Sequence, residues 1–327
     1  PVNHSIDFED YDEDVAALLR EYQNQSNPDE SYTPSILSYS TAKTSKTIVD
    51  FERGIIYMNA STPETLRDAI IDVVLTQIDP SVIDAQTAID FGLINEETNK
   101  PFFWGQVLDH KGKPISSRRP ALDFANFLLR KKTFSDGRFE VTIRMIDAHK
   151  KIAGAKYVSF VKAACLEYSV SSSLVMAIME TESSFNPLAR SRSNALGLMQ
   201  IKANTAGRDY FSLIKGYKHT PSSKFLYSPK NNIEVATGYL NILSSRYLRG
   251  IEDPKKLEYA MISSYNGGAG NLWKSLDKSG NKTKALKRIN QMSTKQFYWF
   301  LTNRHIRQET REYLKKVNDR KSKYTLI

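Results

Sequence analysis

One segment, from Ser171 to Gln200, constrains the fold of this 327-residue chain more than any other. Three serines at 171–173 offer side-chain oxygens that cap a helix, and residues 174–179 form an unbroken apolar run. Pro187 indicates that the helix has ended, because proline is not tolerated in a helix interior. The segment therefore predicts a largely buried helix, a polar exit loop and a glycine-led turn at residues 197–200.

The end of this predicted helix carries a candidate general acid, Glu182. At about 100° per residue, Leu174, Val175 and Ile178 share one apolar face, and Glu182 lies one turn beyond Ile178 on the same face. Glu180 sits about 200° from Glu182 and is expected to be a solvated bystander. A carboxyl group that continues an apolar stripe loses hydration, so we expect the pKa of Glu182 to rise toward the value that suits a general acid.

Two further clusters follow this carboxylate. In Gly197-Leu198-Met199-Gln200, Leu198 is expected to pack inward while Met199 and Gln200 present an apolar surface beside an amide, which suits an N-acetylated sugar. In Tyr265-Asn266-Gly267-Gly268, the tyrosine hydroxyl can bond the acid or a ligand, and the glycines let backbone approach it. Each cluster also fits a structural interpretation, as the start of an amphipathic helix and as a glycine-closed helix end.

Taken as a set, the motifs resemble a known family. Residues from about 155 to 320 resemble the catalytic domain of the family 1 lytic transglycosylases, whose Glu-Ser, Gly-Leu-Met-Gln and Tyr-Asn motifs match residues 182–183, 197–200 and 265–266. A late Glu-Thr-Arg-x-Tyr stretch matches residues 309–313. The resemblance implies a mainly helical, lysozyme-like domain similar to goose-type lysozyme, which acts on peptidoglycan.

The resemblance also implies a mechanism with a single glutamate. Glu182 would protonate the bond between N-acetylmuramic acid and N-acetylglucosamine, then accept the C6 hydroxyl proton, so that a 1,6-anhydromuramyl end forms without water. Hydrolysis by two carboxylates would need a partner, for which Asp209 and Glu234 are the nearest candidates in the sequence. The implied substrate-binding residues are Ser183 at the N-acetyl region, Met199 and Gln200 along the groove, Tyr265 and Asn266 orienting acid and sugar, and Tyr313 at the groove wall.

Two other functions remain open at this point. A lysozyme of the same fold would use water and release a reducing end. A catalytically idle murein-binding or scaffold protein would retain the motifs without turnover. Endolytic and exolytic cleavage are both compatible with the sequence.

The first half of the chain has a different character. We expect an acidic tether or short helix over residues 1–30, an α+β domain over 31–150 and the catalytic domain over 151–327. Residues 49–54 and 103–109 resemble the N-terminal domain of the membrane-bound lytic murein transglycosylase C group. The predicted elements are a hairpin of 47–49 with 55–57, a helix over 63–78 ended by Asp79-Pro80, a strand over 102–108, a turn over 109–112, a helix over 121–129 and a strand over 138–146.

Charge divides the chain in the same way. Residues 1–150 carry 16 basic and 24 acidic side chains, whereas residues 151–327 carry 30 and 12, a balance of −8 against +18. No zinc-finger, RNA-recognition or basic heptad pattern is present, so nucleic acid is not an expected partner. In the basic half, Arg190, Arg192 and Lys202 are candidates to meet carboxylates on murein peptide stems.

The remaining composition sets the expected surroundings of the protein. Cys165 lies in an apolar stretch and is expected to be a buried, inert thiol, and no metal or cofactor is expected because the five histidines lack ligand spacing. No apolar run approaches the roughly twenty residues that span a bilayer. The resemblance implies a lipoprotein at the periplasmic face of the outer membrane, held by an anchor cysteine that this sequence does not contain. Its expected partners are peptidoglycan glycan strands and other cell-wall enzymes.

Overall fold

The computed structural model describes residues 12–23, 33–41, 44–77 and 100–327. Contacts divide the chain into two compact units, here called the sheet unit and the helical unit. The sheet unit comprises Pro1–Tyr157, Glu182–Gln200 and Ser223–Asn231, and the helical unit comprises Val158–Thr181, Ile201–Ser222 and Asn232–Ile327. The chain passes from the helical unit to the sheet unit between Thr181 and Glu182.

The sheet unit is built on a five-stranded antiparallel sheet of order β1-β2-β3-β5-β4. Its strands are β1 (Ile36–Thr41), β2 (Ser45–Asp50), β3 (Ile55–Ala60), β4 (Thr133–Ser135) and β5 (Arg138–Arg144). Its first helices are α1 (Glu13–Gln23), α2 (Pro63–Leu75), α3 (Arg118–Leu129) and α4 (His149–Ala155).

Both faces of this sheet are covered. Ile56 and Met58 of β3 belong to a core cluster with Leu66 and Ile70 of α2 and Phe124 of α3. Alternate residues of the same strands, among them Ile48, Ile55 and Tyr57, pack with Leu18 and Leu19 of α1. Side chains alternate between the faces of a strand, so a sheet with helices on both sides needs apolar residues at nearly every position.

Most of the elements predicted for this half are confirmed. The hairpin pairs Val49 with Ile56 and turns through Phe51–Gly54. The side chain of Thr62 caps α2 by accepting from the Thr65 amide, with Pro63 at the first helical position. The helix ends at Leu75 rather than at 78, and Asp79-Pro80 lies outside the described residues. The 1–30 region contributes a helix, α1, whose Val15 to Tyr22 face is buried.

The predicted strand over 102–108 is wrong. The amides of Trp104 and Gln106 donate to the carbonyls of Pro101 and Phe103, both at 3.0 Å, so the segment is a series of tight turns. Phe102 and Phe103 are buried in the core, with their rings edge to face at a centroid distance of 4.9 Å. Both aromatic rings are therefore part of the core of the sheet unit.

The second half of the chain is mainly helical. Its first helices are α5 (Val158–Tyr168) and α6 (Ser172–Ser183), followed by the short strands β6 (Ala195–Leu196) and β7 (Ile201–Lys202). A continuous helical stretch then runs through Ala203–Gly207, Arg208–Tyr210 and Phe211–Lys215. The later helices are α7 (Ser223–Tyr227), α8 (Pro229–Ile242, extended by a π-helical turn, Leu243–Tyr247), α9 (Pro254–Gly267), α10 (Ala269–Leu276), α11 (Lys282–Gln291), α12 (Thr294–Arg304) and α13 (Gln308–Lys321), with a final turn at Ser322–Tyr324.

None of the helices in the described ranges combines the length and the apolar character needed to cross a bilayer. Cys165 on α5 is buried, and burial raises the pKa of its thiol to about 11. The expected burial of this thiol is therefore confirmed, and a thiol that stays protonated is a weak nucleophile.

Candidate active site

The candidate acid lies on the last turn of α6. Glu182 is half-buried, and the next residue, Ser183, is buried and ends the helix. The Ser183 hydroxyl donates to the Leu198 carbonyl at 2.8 Å. The serine of the Glu-Ser pair therefore joins the helix end to the glycine-led turn, and both motifs lie within the sheet unit.

The backbone after Glu182 is unusual. Ser184, Phe185, Asn194 and Gln200 have φ angles of 50°, 65°, 60° and 50°, which puts four of the six left-handed non-glycine residues of the described chain within this one loop. A bulky residue such as Phe185 adopts this conformation at a cost of about 1–3 kcal/mol. Its ring is 1% exposed, so core packing holds the strained residue in place. Strain of this kind is concentrated at functional sites.

The hairpin turn between β2 and β3 braces this loop. The Ser184 hydroxyl donates to the carboxylate of Glu52, whose other oxygen lies 2.7 Å from the Lys150 ammonium of α4. The turn itself is held by Asp50, whose Oδ1 accepts from the amides of Glu52 and Arg53 at 2.9 Å. Glu52 is thus fixed at both oxygens, and it fixes the second residue after the acid.

A second bond ties the loop to the segment that precedes β1. The side-chain amide of Asn186, buried at 1% exposure, donates to the Pro34 carbonyl at 2.8 Å, and its oxygen accepts from the Leu188 amide at 3.1 Å. Farther along, the exposed Arg190 donates from Nε to Asn194 Oδ1 at 3.2 Å. Arg192 is also exposed, so both arginines of the loop present charge at the surface.

The glycine-led turn closes on the same loop. Gly197, with φ 74°, donates its amide to the Ala189 carbonyl at 2.8 Å. The side-chain amide of Gln200 donates to the carbonyls of Ala189 and Gly197, both at 3.1 Å. Leu198 packs inward as expected, but Met199 is also fully buried. The expectation that Met199 presents an apolar surface is therefore wrong, because this turn buries both of its apolar side chains.

The Tyr-Asn motif lies in the helical unit, at the carboxyl end of α9. The side-chain amide of Asn266 donates to Glu309 Oε1 at 3.1 Å, and its oxygen accepts from the Thr310 hydroxyl at 2.7 Å. The half-buried Tyr265 has its ring 6.0 Å from that of Tyr239. The late Glu-Thr motif of α13 therefore orients the asparagine, a role that sequence reasoning did not assign to it.

The glycines after this motif serve helix packing. A Cβ on Gly267 would lie 2.7 Å from Thr310 Oγ1, closer than real side chains approach. Gly268, with φ 80°, ends α9 and begins α10. Gly267 thus lets α9 approach α13 rather than a ligand. Tyr313, one turn beyond Thr310 on α13, is buried at 7% exposure.

The expectation for Glu180 is wrong. Its side chain is 0% exposed and accepts from Lys323 Nζ at 2.9 Å and from the Tyr324 hydroxyl at 2.7 Å, while Arg320 Nε lies 3.5 Å away. Residues 174–179 are all buried, so α6 is enclosed on every side and has no solvated face at this level. The face opposite Glu182 packs within the helical unit, where the end of the chain supplies the counter-charges.

The two other carboxylates considered belong to separate networks of the helical unit. Glu234 Oε1 accepts from the Tyr210 hydroxyl at 2.5 Å and from Lys215 at 3.1 Å. Burial acts to raise the pKa of Glu234, but these partners outweigh it and lower the pKa, so the group is ionised. Asp209 accepts from the Tyr247 hydroxyl at 2.8 Å.

Known proteins match both halves of the chain. Residues 159–287 match the family described as transglycosylase SLT domain, and residues 10–156 match membrane-bound lytic murein transglycosylase C, N-terminal domain. A protein of Edwardsiella ictaluri (strain 93-146), named membrane-bound lytic murein transglycosylase C, is 40% identical over 301 residues, which cover 89% of this chain and 82% of that protein. This chain belongs to the membrane-bound lytic murein transglycosylase C family.

Other relatives are similar. The protein of the same name from Salmonella paratyphi B (strain ATCC BAA-1250 / SPB7) is 40% identical over 297 residues, 88% of this chain and 81% of its own. Among solved structures, an inactive mutant of the lytic transglycosylase Slt from Pseudomonas aeruginosa aligns with a TM-score of 0.39 and 22% identity, over 51% of this chain and 23% of that one.

Family membership confirms the resemblance drawn from the motifs. This member of the transglycosylase C family is a lytic transglycosylase that acts on peptidoglycan, with an α+β region followed by a mainly helical, lysozyme-like domain.

The bond from Ser184 to Glu52 holds the loop that follows Glu182 and Ser183. It predicts that Glu52 is a positioning residue of this transglycosylase. Glu52→Gln keeps the side-chain shape but weakens the bonds to Ser184 and Lys150, so we expect kcat on sacculi to fall about 10- to 100-fold. Glu64→Gln is the matched control, since Glu64 is exposed on α2 and lies outside this network. The melting temperature should shift by less than about 4 °C, since a partly exposed pair contributes little stability.

Kinetics of both variants on sacculi provide the measurement. A fall in kcat for Glu52→Gln with little change in KM, and with activity restored toward wild type in Glu52→Asp, would support positioning. Equal kcat values for Glu52→Gln, Glu64→Gln and wild type would show that the brace is irrelevant to catalysis.

Proposed function

We propose that the chain cleaves the β-1,4 bond between N-acetylmuramic acid and N-acetylglucosamine without water, with Glu182 as acid and then base. The observation that carries the proposal is the position of Glu182, half-buried at a helix end and followed by a strained loop that is braced on both sides. A carboxyl group with restricted hydration retains its proton more readily than one in open solvent. A fixed loop keeps it in one geometry.

The bonds made by the two carboxylates considered as hydrolytic partners favour the non-hydrolytic route. Asp209 and Glu234 each bond to tyrosine hydroxyls within the helical unit. In the proposed reaction Glu182 protonates the glycosidic oxygen, and the substrate's N-acetyl group assists departure. The resulting carboxylate accepts the proton of the C6 hydroxyl, whose oxygen attacks C1 and closes the 1,6-anhydro ring.

The proposed substrate-binding residues follow the family motifs. Ser183 holds the geometry of the N-acetyl region through its bond to the Leu198 carbonyl, and Gln200 lines the groove. Met199 supports that wall from within, since it is buried. Asn266, oriented by Thr310, and Tyr265 orient acid and sugar, and Tyr313 backs the groove wall.

The chemical identity of the products tests this function. Purified protein is incubated with sacculi, and the released muropeptides are analysed by mass spectrometry beside those of a hydrolytic muramidase. We expect products lighter by one water than the hydrolytic standards. Products that carry reducing muramic acid ends would instead indicate a lysozyme-type reaction and contradict the proposal.

Location and organisation complete the proposal. We place the enzyme at the periplasmic face of the outer membrane as a lipoprotein, since the relatives are named membrane-bound. The proposed domains are a segment over 1–30, an α+β domain over 31–150 and a catalytic domain over 151–327. Its partners would be glycan strands and other cell-wall enzymes.

A further inference from the structure

A surface pocket of about 590 Å³ lies on α11 and α12 of the helical unit, and no motif considered above contributes to it. Its described lining includes two cations, two primary amides and two aromatic rings, and none of these lining residues is acidic. They are Arg288 and Lys295, Gln291 and Gln296, and Trp299 and Phe300.

The pocket is separate from the Tyr-Asn end of α9. Lys256, in the first turn of α9, donates from its buried side chain to the Met292 carbonyl at 2.9 Å, which places the start of α9 beside the α11–α12 connection. Asn266 lies ten residues later on the same helix, so at 1.5 Å per residue about 15 Å separates it from Lys256 along the axis. The residues around Met292 therefore form a different site from the one at Asn266.

Two polar groups of this pocket, those of Arg288 and Gln296, are held in place. The Arg288 guanidinium donates to the Leu276 carbonyl, and its planar fork carries further N–H donors. Gln296 completes a capping box with Ser293, in which its side-chain oxygen accepts from the Ser293 amide at 2.8 Å. That bond occupies the oxygen of the amide and directs its NH₂ group away from the backbone as a donor.

The aromatic part of the pocket is exposed. Trp299 is 54% exposed, so about half of its surface is open to solvent. The Arg304 guanidinium lies 5.7 Å from its ring centroid and adds a third positive charge beside the indole. An exposed indole among donors and cations provides a stacking surface for an apolar ring face and charge for carboxylates.

We propose that this pocket is a second peptidoglycan-binding site, separate from the Tyr-Asn motif at the other end of α9. A sugar ring stacks on Trp299, its acetamido oxygen accepts from the Gln296 amide, and peptide-stem carboxylates meet Lys295 and Arg288. The inference rests on the proposed function for the choice of glycan, because murein is the substrate that combines sugar faces with carboxylates. Such a site retains the enzyme on the sacculus between cleavage events.

Binding to intact sacculi tests the proposal. The measurements use the full chain with Glu182→Gln, so that turnover does not consume the ligand, and compare Trp299→Ala and Lys295→Glu in that background. We expect each to weaken sacculus binding about 5- to 30-fold at low salt, with a smaller difference for Lys295→Glu at high salt. Two matched controls, Lys284→Glu on α11 and Tyr217→Ala, change an exposed cation and an exposed aromatic residue outside the pocket lining and should bind as the parent does.

Kinetics separate this site from the catalytic one. In the otherwise wild-type chain, Trp299→Ala should raise KM for sacculi and leave kcat unchanged on short soluble glycan fragments. Sacculus binding that is unaltered in both folded variants, Trp299→Ala and Lys295→Glu, would overturn the proposal. It would also be overturned if these variants bound anionic vesicles or single-stranded DNA more weakly while their binding to sacculi stayed intact. Products with reducing ends would contradict the proposed reaction but leave the binding result standing.

Discussion

Glu182→Gln should remove turnover of peptidoglycan while leaving the protein folded and able to bind its substrate. Gln keeps the size of the side chain at the end of α6 but can neither donate the acid proton nor accept one as a base. General acid–base catalysis of this kind typically supplies about 10²–10⁴-fold in rate, so we expect a loss in that range or larger. Release of soluble muropeptides from sacculi, quantified by chromatography, provides the measurement.

A matched control is available on the surface. Glu312 is exposed on α13 and forms an ion pair with Lys315 on the same helix, so Glu312→Gln should leave activity unchanged. Sacculus binding by Glu182→Gln should stay within about twofold of wild type, since the substitution removes no apolar surface. Near-normal product release by Glu182→Gln would refute the assignment of Glu182 and, with it, the single-glutamate reaction.

Glu180→Ala should have the opposite effect, a large loss of stability with the reaction chemistry retained. Removal of one partner from a buried ion pair leaves uncompensated charge and costs about 3–5 kcal/mol. Lys323 is 56% exposed and can turn to solvent, so we expect the lower end of that range, about 3 kcal/mol. For a unit of this size the melting temperature should fall by about 6–12 °C, which calorimetry measures.

The partners of Glu180 predict an order of effects. Tyr324→Phe removes the hydroxyl that donates to the buried carboxylate at 2.7 Å and should cost about 1.5–3 kcal/mol. Lys323→Met should cost under about 1 kcal/mol, because that ammonium is largely exposed. Loss of less than 1 kcal/mol in Glu180→Ala would show that the cluster does not stabilise the fold.

Together the two glutamates form an internal test. Below its lowered melting temperature, Glu180→Ala should still release muropeptides, whereas Glu182→Gln should be stable and inactive. The two residues lie two positions apart on one helix. A nonspecific effect of substitution in this helix should therefore appear in both variants, and only a specific role can make them differ. A stable, inactive Glu180→Ala would reverse the assignment of the two roles.

The sequence predicts a helix start or a hairpin well when the residues that specify it are neighbours in the chain. Thr62 and Pro63 mark the start of α2 because a capping oxygen and a fixed φ act within one turn. The β2–β3 hairpin follows from two apolar runs separated by a short turn that ends in Gly54. By contrast, the apolar character of residues 102–108 is typical of a strand, but the segment forms tight turns. The side chains of Phe102 and Phe103 are buried in the core from these turns.

Predictions of exposure failed for a common reason. Periodicity assigns one apolar face to α6, yet this helix is enclosed on all sides, so Glu180 is buried among cations from the end of the chain. Met199 was expected at a surface and is fully buried. The segment containing Glu52 was noted for its resemblance, but nothing in the sequence links it to Ser184, which lies 132 residues away.

The sequence by itself determined the family, the order of the α+β and helical parts and the candidate acid, because motif spacing, capping residues and hydrophobic period are all carried by neighbouring residues. Only the tertiary structure decided which of the two glutamates on α6 is enclosed, what braces the loop after Glu182 and where an exposed indole is surrounded by positive charge. Burial and ion pairing are properties of surfaces that come together from distant parts of the chain, and no local pattern contains them.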